Sequence, residues 1–161
     1  MDFNDTPEEA AFRTEARTWL EANAQPLGPD DEGRNMGELL TPEIVSTAQA
    51  WQKKKADAGW ACITWPKELG GRSATPMENV IWNEEQSNFK LPNDIFSIGI
   101  GMCGPTLLTH GTQEQQERWI PRLLSGEDVW CQLFSEPNAG SDLAGLRMTA
   151  VKEGDEWVVN G

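Results

Sequence analysis

The sequence contains no tyrosine, a single histidine and three cysteines among its 161 residues. With only His110, the chain cannot form a His-based catalytic triad, a histidine pair or a histidine-rich metal site. Cys62, Cys103 and Cys131 are odd in number and far apart, which predicts reduced, buried thiols instead of a disulfide framework or a zinc site. We therefore predict no metal site, and this cysteine usage is typical of a cytoplasmic protein.

Basic residues are also scarce. The chain has 13 Lys and Arg against 26 Asp and Glu, for a formal net charge of -13. Such a surface repels phosphate backbones and anionic membranes, so we expect neither nucleic acid nor membrane as a partner. The sequence has no apolar run of about 18 residues that could span a bilayer. Its start, "MDFNDTPEEA", is too acidic and polar for a signal or transit peptide.

Three segments begin with the same helix-start signal, a threonine that can cap the helix and a proline at the first helical position. They start at Thr6, Thr41 and Thr75, and Glu9 and Glu78 complete capping boxes in the first and third. Apolar residues then recur at helical spacing, namely Phe12, Ala16, Trp19 and Leu20 in the first segment and Ile44, Ala48 and Trp51 in the second.

The boundaries of these helices follow from turn-forming residues. A polar, Gly-containing stretch from Gln25 to Gly37 predicts a loop after the first helix. Gly59 predicts the end of the second helix, and the third is expected to reach about Asn88. The segment "QKKKAD", residues 52–57, is expected to be an exposed face of the second helix.

The next part of the chain also predicts helices. An apolar helix is expected over Asn93 to Cys103, and "GPTLLTHGTQEQQERWIPRLLSG" predicts two more. The first of these two ends at His110, and Thr112 caps the second. Residues 1–125 are therefore predicted to form an all-helical domain.

After Gly126 the pattern changes to that of strands. "VWCQLF", "LRMTAVKE" and "EWVVNG" are short, β-prone runs separated by turn residues. Asn160-Gly161 is a strong hairpin signal, and two or three strands are too few for an independent sheet. We therefore expect residues 126–161 to be the opening strands of an incomplete β-barrel or β-sandwich domain, in a chain that is the N-terminal piece of a larger protein.

Residues 134–146, "FSEPNAGSDLAGL", place small, turn-forming and hydroxyl-bearing residues directly after a predicted strand. This is either an ordinary surface loop or a loop that holds a ligand, because Gly140 lets backbone N–H groups come close to a bound group while Ser135 and Ser141 add hydroxyl donors. The stretch resembles the signature of the acyl-CoA dehydrogenase family. "GWACITWPKELGGR", "GPTLLTHGTQEQQERWIPRLLSGE" and "DEWVVNG" resemble other segments of the same family in the same order.

The resemblance implies FAD as cofactor and assigns roles to the loop. Gln132, Leu133, Phe134 and Ser135 would line the flavin ring, with Ser135 donating near its reactive side. Gly140 and Ser141 would face the pyrophosphate, and Ser141 would also approach the coenzyme A thioester. Leu133 and Phe134 are larger than the pair common in the family, and Asn138 replaces a frequent glycine.

The resemblance further implies α,β-dehydrogenation of an acyl-CoA thioester. Electron-transferring flavoprotein would accept the electrons, and the enzyme would be a homo- or hetero-oligomer arranged as a dimer of dimers. The family's catalytic glutamate lies in a C-terminal domain, so we assign no catalytic residue here, and we expect residues 1–161 alone to be inactive. Glu136 would organise the loop. A flavin-dependent acyl-CoA oxidase and a non-catalytic subunit of a heteromeric complex remain alternatives.

Two other features leave their interpretation open. Glu84 and Glu85 are adjacent and do not share a helix face, so a solvated or capped pair is favoured over an acid/base pair. The small-residue run "SIGIGMCGP", residues 97–105, indicates close helix packing. By resemblance it could equally border an acyl pocket.

Overall fold

The computed structural model describes residues 4–29 and 40–161. The chain divides into two compact units, Met1–Trp130 and Cys131–Gly161. The elements of the first unit are α1 (Pro7–Asn23), β1 (Gln25–Pro26), α2 (Pro42–Asp57), α3 (Pro76–Gln86), β2 (Phe89–Lys90), a π-helical turn (Gly99–Cys103), α4 (Gly104–His110) and α5 (Gln113–Ser125). In the described ranges, no helix is long and apolar enough to cross a membrane.

The predicted helix starts are confirmed in atomic detail. The hydroxyls of Thr6, Thr75 and Thr112 each accept from the backbone N–H three residues later, and the side chain at that later position returns a bond to the cap. Thr41 accepts from the N–H of Ile44 at the start of α2. These bonds satisfy N–H groups that the helix itself leaves without partners.

The core of the first unit consists of two apolar clusters. The first joins α1 and α3 to the segment after α2, through Phe12, Ala16, Leu20, Trp60, Ile63, Ile81, Trp82 and Phe89. Within it, the rings of Trp60 and Trp82 stack with their centroids 4.5 Å apart. The second cluster, Cys62, Trp65, Ile120, Leu123 and Leu124, packs α5 against the same segment.

The helix predicted over Asn93 to Cys103 is wrong in both of its boundaries. Helical structure begins at residue 97 and runs through the π-helical turn into α4 without a break. Asp94 accounts for the late start, because its carboxylate accepts from the N–H of Phe96 at 3.0 Å and so favours a local turn over a helix. Gly104 has helical dihedral angles, so it does not end the first segment.

The loop predicted from Gln25 to Gly37 needs a similar correction. Gln25 and Pro26 pair with Lys90 and Phe89 in a short antiparallel ladder, which Leu27 extends by donating to the carbonyl of Asn88 at 2.9 Å. This pairing depends on a segment about 60 positions away, so local sequence could not predict it. Residues 30–37 of the predicted loop lie outside the described residues.

The second unit contains one antiparallel hairpin, formed by β3 (Thr149–Glu153) and β4 (Glu156–Asn160). Gly154, with φ of 65°, provides the turn. The prediction of strands in "LRMTAVKE" and "EWVVNG" is confirmed, but that of a strand in "VWCQLF" is wrong. Residues 129–134 have no paired strand in the described part of the chain. The domain boundary at residue 125 and the turn at Asn160-Gly161 remain predictions.

Candidate functional site

The candidate loop is closed by its own backbone. Glu136 and Ala139 exchange hydrogen bonds of 3.0 and 3.2 Å, with Pro137 and Asn138 forming the turn between them. The Glu136 carboxylate accepts from the backbone N–H groups of Arg147, at 3.0 and 3.1 Å, and Met148, at 2.8 Å. Glu136 therefore fixes the loop to the segment that leads into β3, which is an organising role.

The loop also presents backbone donors. The N–H groups of Gln132, Leu133, Phe134, Ser135, Gly140 and Ser141 donate no hydrogen bond within residues 4–29 and 40–161. All of these residues are exposed, and the side chains of Leu133 and Phe134 add apolar surface, at 87% and 70% exposure. A set of uncommitted donors beside apolar side chains fits a flavin, whose ring edge and pyrophosphate accept hydrogen bonds while its ring faces are apolar.

Gly140 does not owe its place in the loop to an unusual backbone conformation. It is absent from the glycines with positive φ in the described chain. A Cβ at this position would lie 3.9 Å from Ser135 Oγ, an ordinary contact. The backbone therefore tolerates a side chain at Gly140, and the lack of one serves only to leave the surface beside Ser135 open.

The first unit holds a buried carboxylate that the sequence did not reveal. Glu85 is 2% exposed and accepts from Arg17 Nε and Nη2, both at 2.8 Å, and from Arg13 Nη1 at 3.1 Å. The bonds from Arg17, and then from Arg13, lower the pKa of Glu85 despite its burial. The expectation of a solvated or capped Glu84-Glu85 pair is wrong for Glu85. Its carboxylate forms a buried ion pair that joins α3 to the arginines of α1.

The other reactive side chains considered are those of His110 and the three cysteines. His110 lies at the end of α4, and no group of His, Cys, Asp or Glu in the described residues could hold a metal ion. Of the three thiols predicted to be buried, only Cys62 is, and burial raises its pKa to about 12. Cys103 is half-buried and Cys131 is exposed, so the prediction is wrong for both.

The small-residue run 97–105 serves close packing at two positions. A Cβ on Gly99 would lie 2.5 Å from Leu123, and one on Gly104 would lie 2.4 Å from Trp65. Gly101 differs, because a Cβ there would meet nothing within 4 Å. The packing interpretation is confirmed for Gly99 and Gly104, and the acyl-pocket interpretation remains a prediction.

Residues 6–127 match the family model for the acyl-CoA dehydrogenase N-terminal domain. The chain belongs to the acyl-CoA dehydrogenase family. This confirms the family resemblance, and the mostly helical fold with small strand pairs is that of the N-terminal part of these enzymes.

Three relatives illustrate the similarity. The acyl-CoA dehydrogenase IpdE1 of Mycobacterium tuberculosis is 38% identical over 93% of this chain and 39% of its own length. The ChsE4–ChsE5 complex from Mycobacterium tuberculosis superposes with a TM-score of 0.71 at 31% identity, over 100% of this chain and 39% of that one. A glutaryl-CoA dehydrogenase from Mycobacterium smegmatis in complex with FADH2 shares the fold, with a TM-score of 0.65 at 20% identity over 98% of this chain and 38% of that one. The chain thus spans about two fifths of the length of these acyl-CoA dehydrogenases.

Proposed function

We propose that the full-length protein is an FAD-dependent acyl-CoA dehydrogenase that introduces a double bond between the α and β carbons of an acyl-CoA thioester. The observation that carries this proposal is the loop 132–141, in which uncommitted N–H donors and two serine hydroxyls occur in a chain of this family. When bound, FAD supplies the redox chemistry by accepting the β-hydrogen as hydride.

The roles proposed for the loop residues follow from their chemistry. The N–H groups of Gln132, Leu133, Phe134 and Ser135 bind the polar edge of the flavin ring. The apolar side chains of Leu133 and Phe134 exclude water from it. Gly140 and Ser141 bind the pyrophosphate, and the Ser141 hydroxyl also orients the thioester. Glu136 keeps these donors in position through its bonds to Arg147 and Met148.

Residues 1–161 supply no base for the α-proton under this proposal, so we expect them alone to be inactive. The Glu136 carboxylate is occupied by backbone donors, and Glu85 by arginines. We further propose that the hairpin unit begins a middle β-domain, that electron-transferring flavoprotein accepts the electrons, and that the enzyme is a cytoplasmic oligomer built as a dimer of dimers.

Two other functions fit the same residues. An acyl-CoA oxidase would pass its electrons to oxygen, and oxygen consumption by the full-length protein during acyl-CoA turnover would identify it. The other is a non-catalytic subunit of a heteromeric complex. The similarity to the ChsE4–ChsE5 complex supports this alternative. Such a subunit would lack acyl-CoA-dependent reduction of an artificial electron acceptor.

The test of the cofactor site is flavin retention in full-length variants. Removing a hydroxyl that donates to a charged group costs about 1.5–3 kcal/mol, so Ser141→Ala should weaken FAD binding by about 10- to 150-fold. Ser46→Ala is the matched control, because the Ser46 hydroxyl bonds within α2 to the carbonyl of Glu43. Flavin absorbance per protein after desalting is the readout. If Ser141→Ala retains as much FAD as the control, Ser141 does not bind the pyrophosphate.

A further inference from the structure

A groove of about 620 Å³ runs along α5 in the first unit. Its other walls are the end of α2, at Ala56 and Asp57, and the turn formed by residues 68–70. The lining includes no residue of the loop 132–141 and none of the segment 91–105. The groove is therefore separate from the proposed flavin site.

The groove has a length and a wall that suit a helix. Residues of α5 line it at alternating spacings of three and one, from Gln113 to Ser125, and residues at this spacing share one face of a helix. At 1.5 Å per residue this face is about 18 Å long, which matches a second helix of about 12 residues. Amphipathic helices of partner proteins commonly bind in grooves of this kind.

The floor of the groove is apolar. Ile120 and Leu124 line it, are 3% and 7% exposed, and belong to the second core cluster. Leu69, which is half-buried, and Pro121, which is exposed, add to the floor. An apolar side chain of a partner placed here would extend the core cluster and lose its contact with water.

The charged side chains of the lining are all acidic. Asp57, Glu68 and Glu117 line the groove, and the lining contains no lysine or arginine. Asp57 pairs with Lys53 at 2.9 Å, whereas Glu68 and Glu117 have no basic partner among the described residues. Two carboxylates without cations beside an apolar floor favour a partner that carries lysines or arginines.

Pro121 adds a backbone acceptor. A proline has no N–H, so the carbonyl of Glu117, four positions earlier in α5, loses its usual helical donor. Both residues line the groove. A lysine ammonium, which has three donors, is suited to this carbonyl and to the carboxylate of the same residue.

A second copy of this chain is a poor occupant. The chain has 13 Lys and Arg against 26 Asp and Glu, for a net charge of -13. Two such surfaces repel each other, so the acidic groove favours a protein of opposite charge.

We propose that this groove binds a basic amphipathic helix of another protein, with an apolar side chain on the floor formed by Leu69, Ile120 and Leu124 and with lysines or arginines beside Glu68 and Glu117. This inference goes beyond the proposed dehydrogenase function, because it uses only residues of the first unit and requires neither flavin nor thioester.

The experiment is binding of a fluorescent peptide to the full-length protein, followed by fluorescence anisotropy at physiological salt. The peptide is a helix of about 12 residues in which leucines at helical spacing form one face and lysines form the other. One analogue has glutamine in place of every lysine, and another has serine in place of every leucine. The basic amphipathic peptide should bind, and each analogue should bind about tenfold more weakly, because charge and apolar burial both contribute.

The groove variant combines Glu68→Gln with Glu117→Gln. It should weaken peptide binding about 2- to 30-fold, as expected for two lost surface charge pairs. Its melting temperature should equal that of the wild type, because glutamine at position 117 can still accept from Gln113. The matched control combines Glu8→Gln with Glu21→Gln, which removes the same charge from exposed positions of α1 outside the groove.

Leu69→Gln should weaken peptide binding about tenfold by removing apolar contact. No binding to the wild type, equal affinity for the neutral analogue, or an equal loss in the control variant would each overturn the proposal. Self-association that the groove variant abolishes would assign the groove to a second copy and overturn it as well.

Turnover separates this partner from the electron acceptor. The groove variant should oxidise acyl-CoA like the wild type with electron-transferring flavoprotein and with an artificial acceptor. A loss with the flavoprotein alone would assign the groove to electron transfer and overturn the proposal of a separate partner. Flavin retention is measured independently, so failure of peptide binding leaves the proposed function intact.

Discussion

Replacing Glu85 by glutamine tests whether the ion pair between α1 and α3 stabilises the fold. The substitution keeps the size of the side chain and removes its charge. Arg13 would still bind Asp5, at 2.6 and 2.9 Å, and Glu84, at 2.9 Å. Arg17 has a side chain 54% exposed, so water can replace its partner. Neither arginine would therefore be left as a buried charge without partners.

The expected loss is that of charge-assisted hydrogen bonds, about 1.5–3 kcal/mol in the free energy of unfolding. For a domain of this size, this corresponds to a melting temperature lower by about 3–12 °C. Removing the two arginines instead of the carboxylate should lower the free energy of unfolding further. Replacing both arginines by alanine would leave the Glu85 carboxylate buried without partners, for which about 3–5 kcal/mol is typical.

The assay is thermal unfolding followed by circular dichroism as a function of pH, with Glu84→Gln as the neighbouring control. Glu84 bonds the same arginine but its side chain is 56% exposed, so its replacement should cost less than about 1 kcal/mol. The pKa of Glu85 in the folded state lies below its ordinary value of 4.5. The difference between wild type and Glu85→Gln should therefore be complete above that pH and disappear as the pH falls through the folded-state pKa. An equal loss in both variants, or a gap that persists in acid, would refute this reasoning.

Two further predictions concern single residues of the first unit. Gln52 is 1% exposed and donates to the carbonyl of Leu124 at 3.0 Å, so Gln52→Leu should destabilise by about 1–3 kcal/mol in urea unfolding. Gln49 donates to the carbonyls of Gly126 and Glu127 through one part-buried and one exposed bond, so Gln49→Leu is the milder control. A larger loss in Gln49→Leu than in Gln52→Leu would show that the Gln52 bond is not stabilising. Ser73 has φ of 54°, so Ser73→Val should cost about 1–3 kcal/mol while Ser73→Gly should be at least as stable as wild type. Equal melting temperatures for these two variants would contradict a strained backbone at Ser73.

The features predicted correctly from the sequence are those that depend on a few neighbouring residues. A capping threonine and the residue three positions later are enough to start a helix, so α1, α3 and α5 begin where their sequences indicate. The β3–β4 hairpin follows likewise from a glycine turn between two β-prone runs. The family signature was also recognisable, because its loop is one continuous stretch.

Several of the errors concern contacts between distant parts of the chain. The carboxylate of Glu85 is buried because Arg13 and Arg17 reach it from α1, about 70 positions away. Gln52 belongs to a segment predicted to be exposed, but α5 covers it. The spacing of the two arginines by four residues was visible in the sequence, whereas their partner was not.

The arrangement of the tryptophans gives the chain a built-in optical reporter. Trp60 and Trp82 stack, and Trp19 lies 5.9 Å from each of them and 5.5 Å from Trp51, measured between ring centroids. Indoles held this close and in fixed orientation couple their electronic transitions, so they should give a strong near-ultraviolet circular dichroism signal. That signal requires α1, α2 and α3 to be assembled, whereas the exposed Trp157 of the hairpin contributes little to it. Near-ultraviolet spectra therefore report the assembly of the helices independently of the order of the loop.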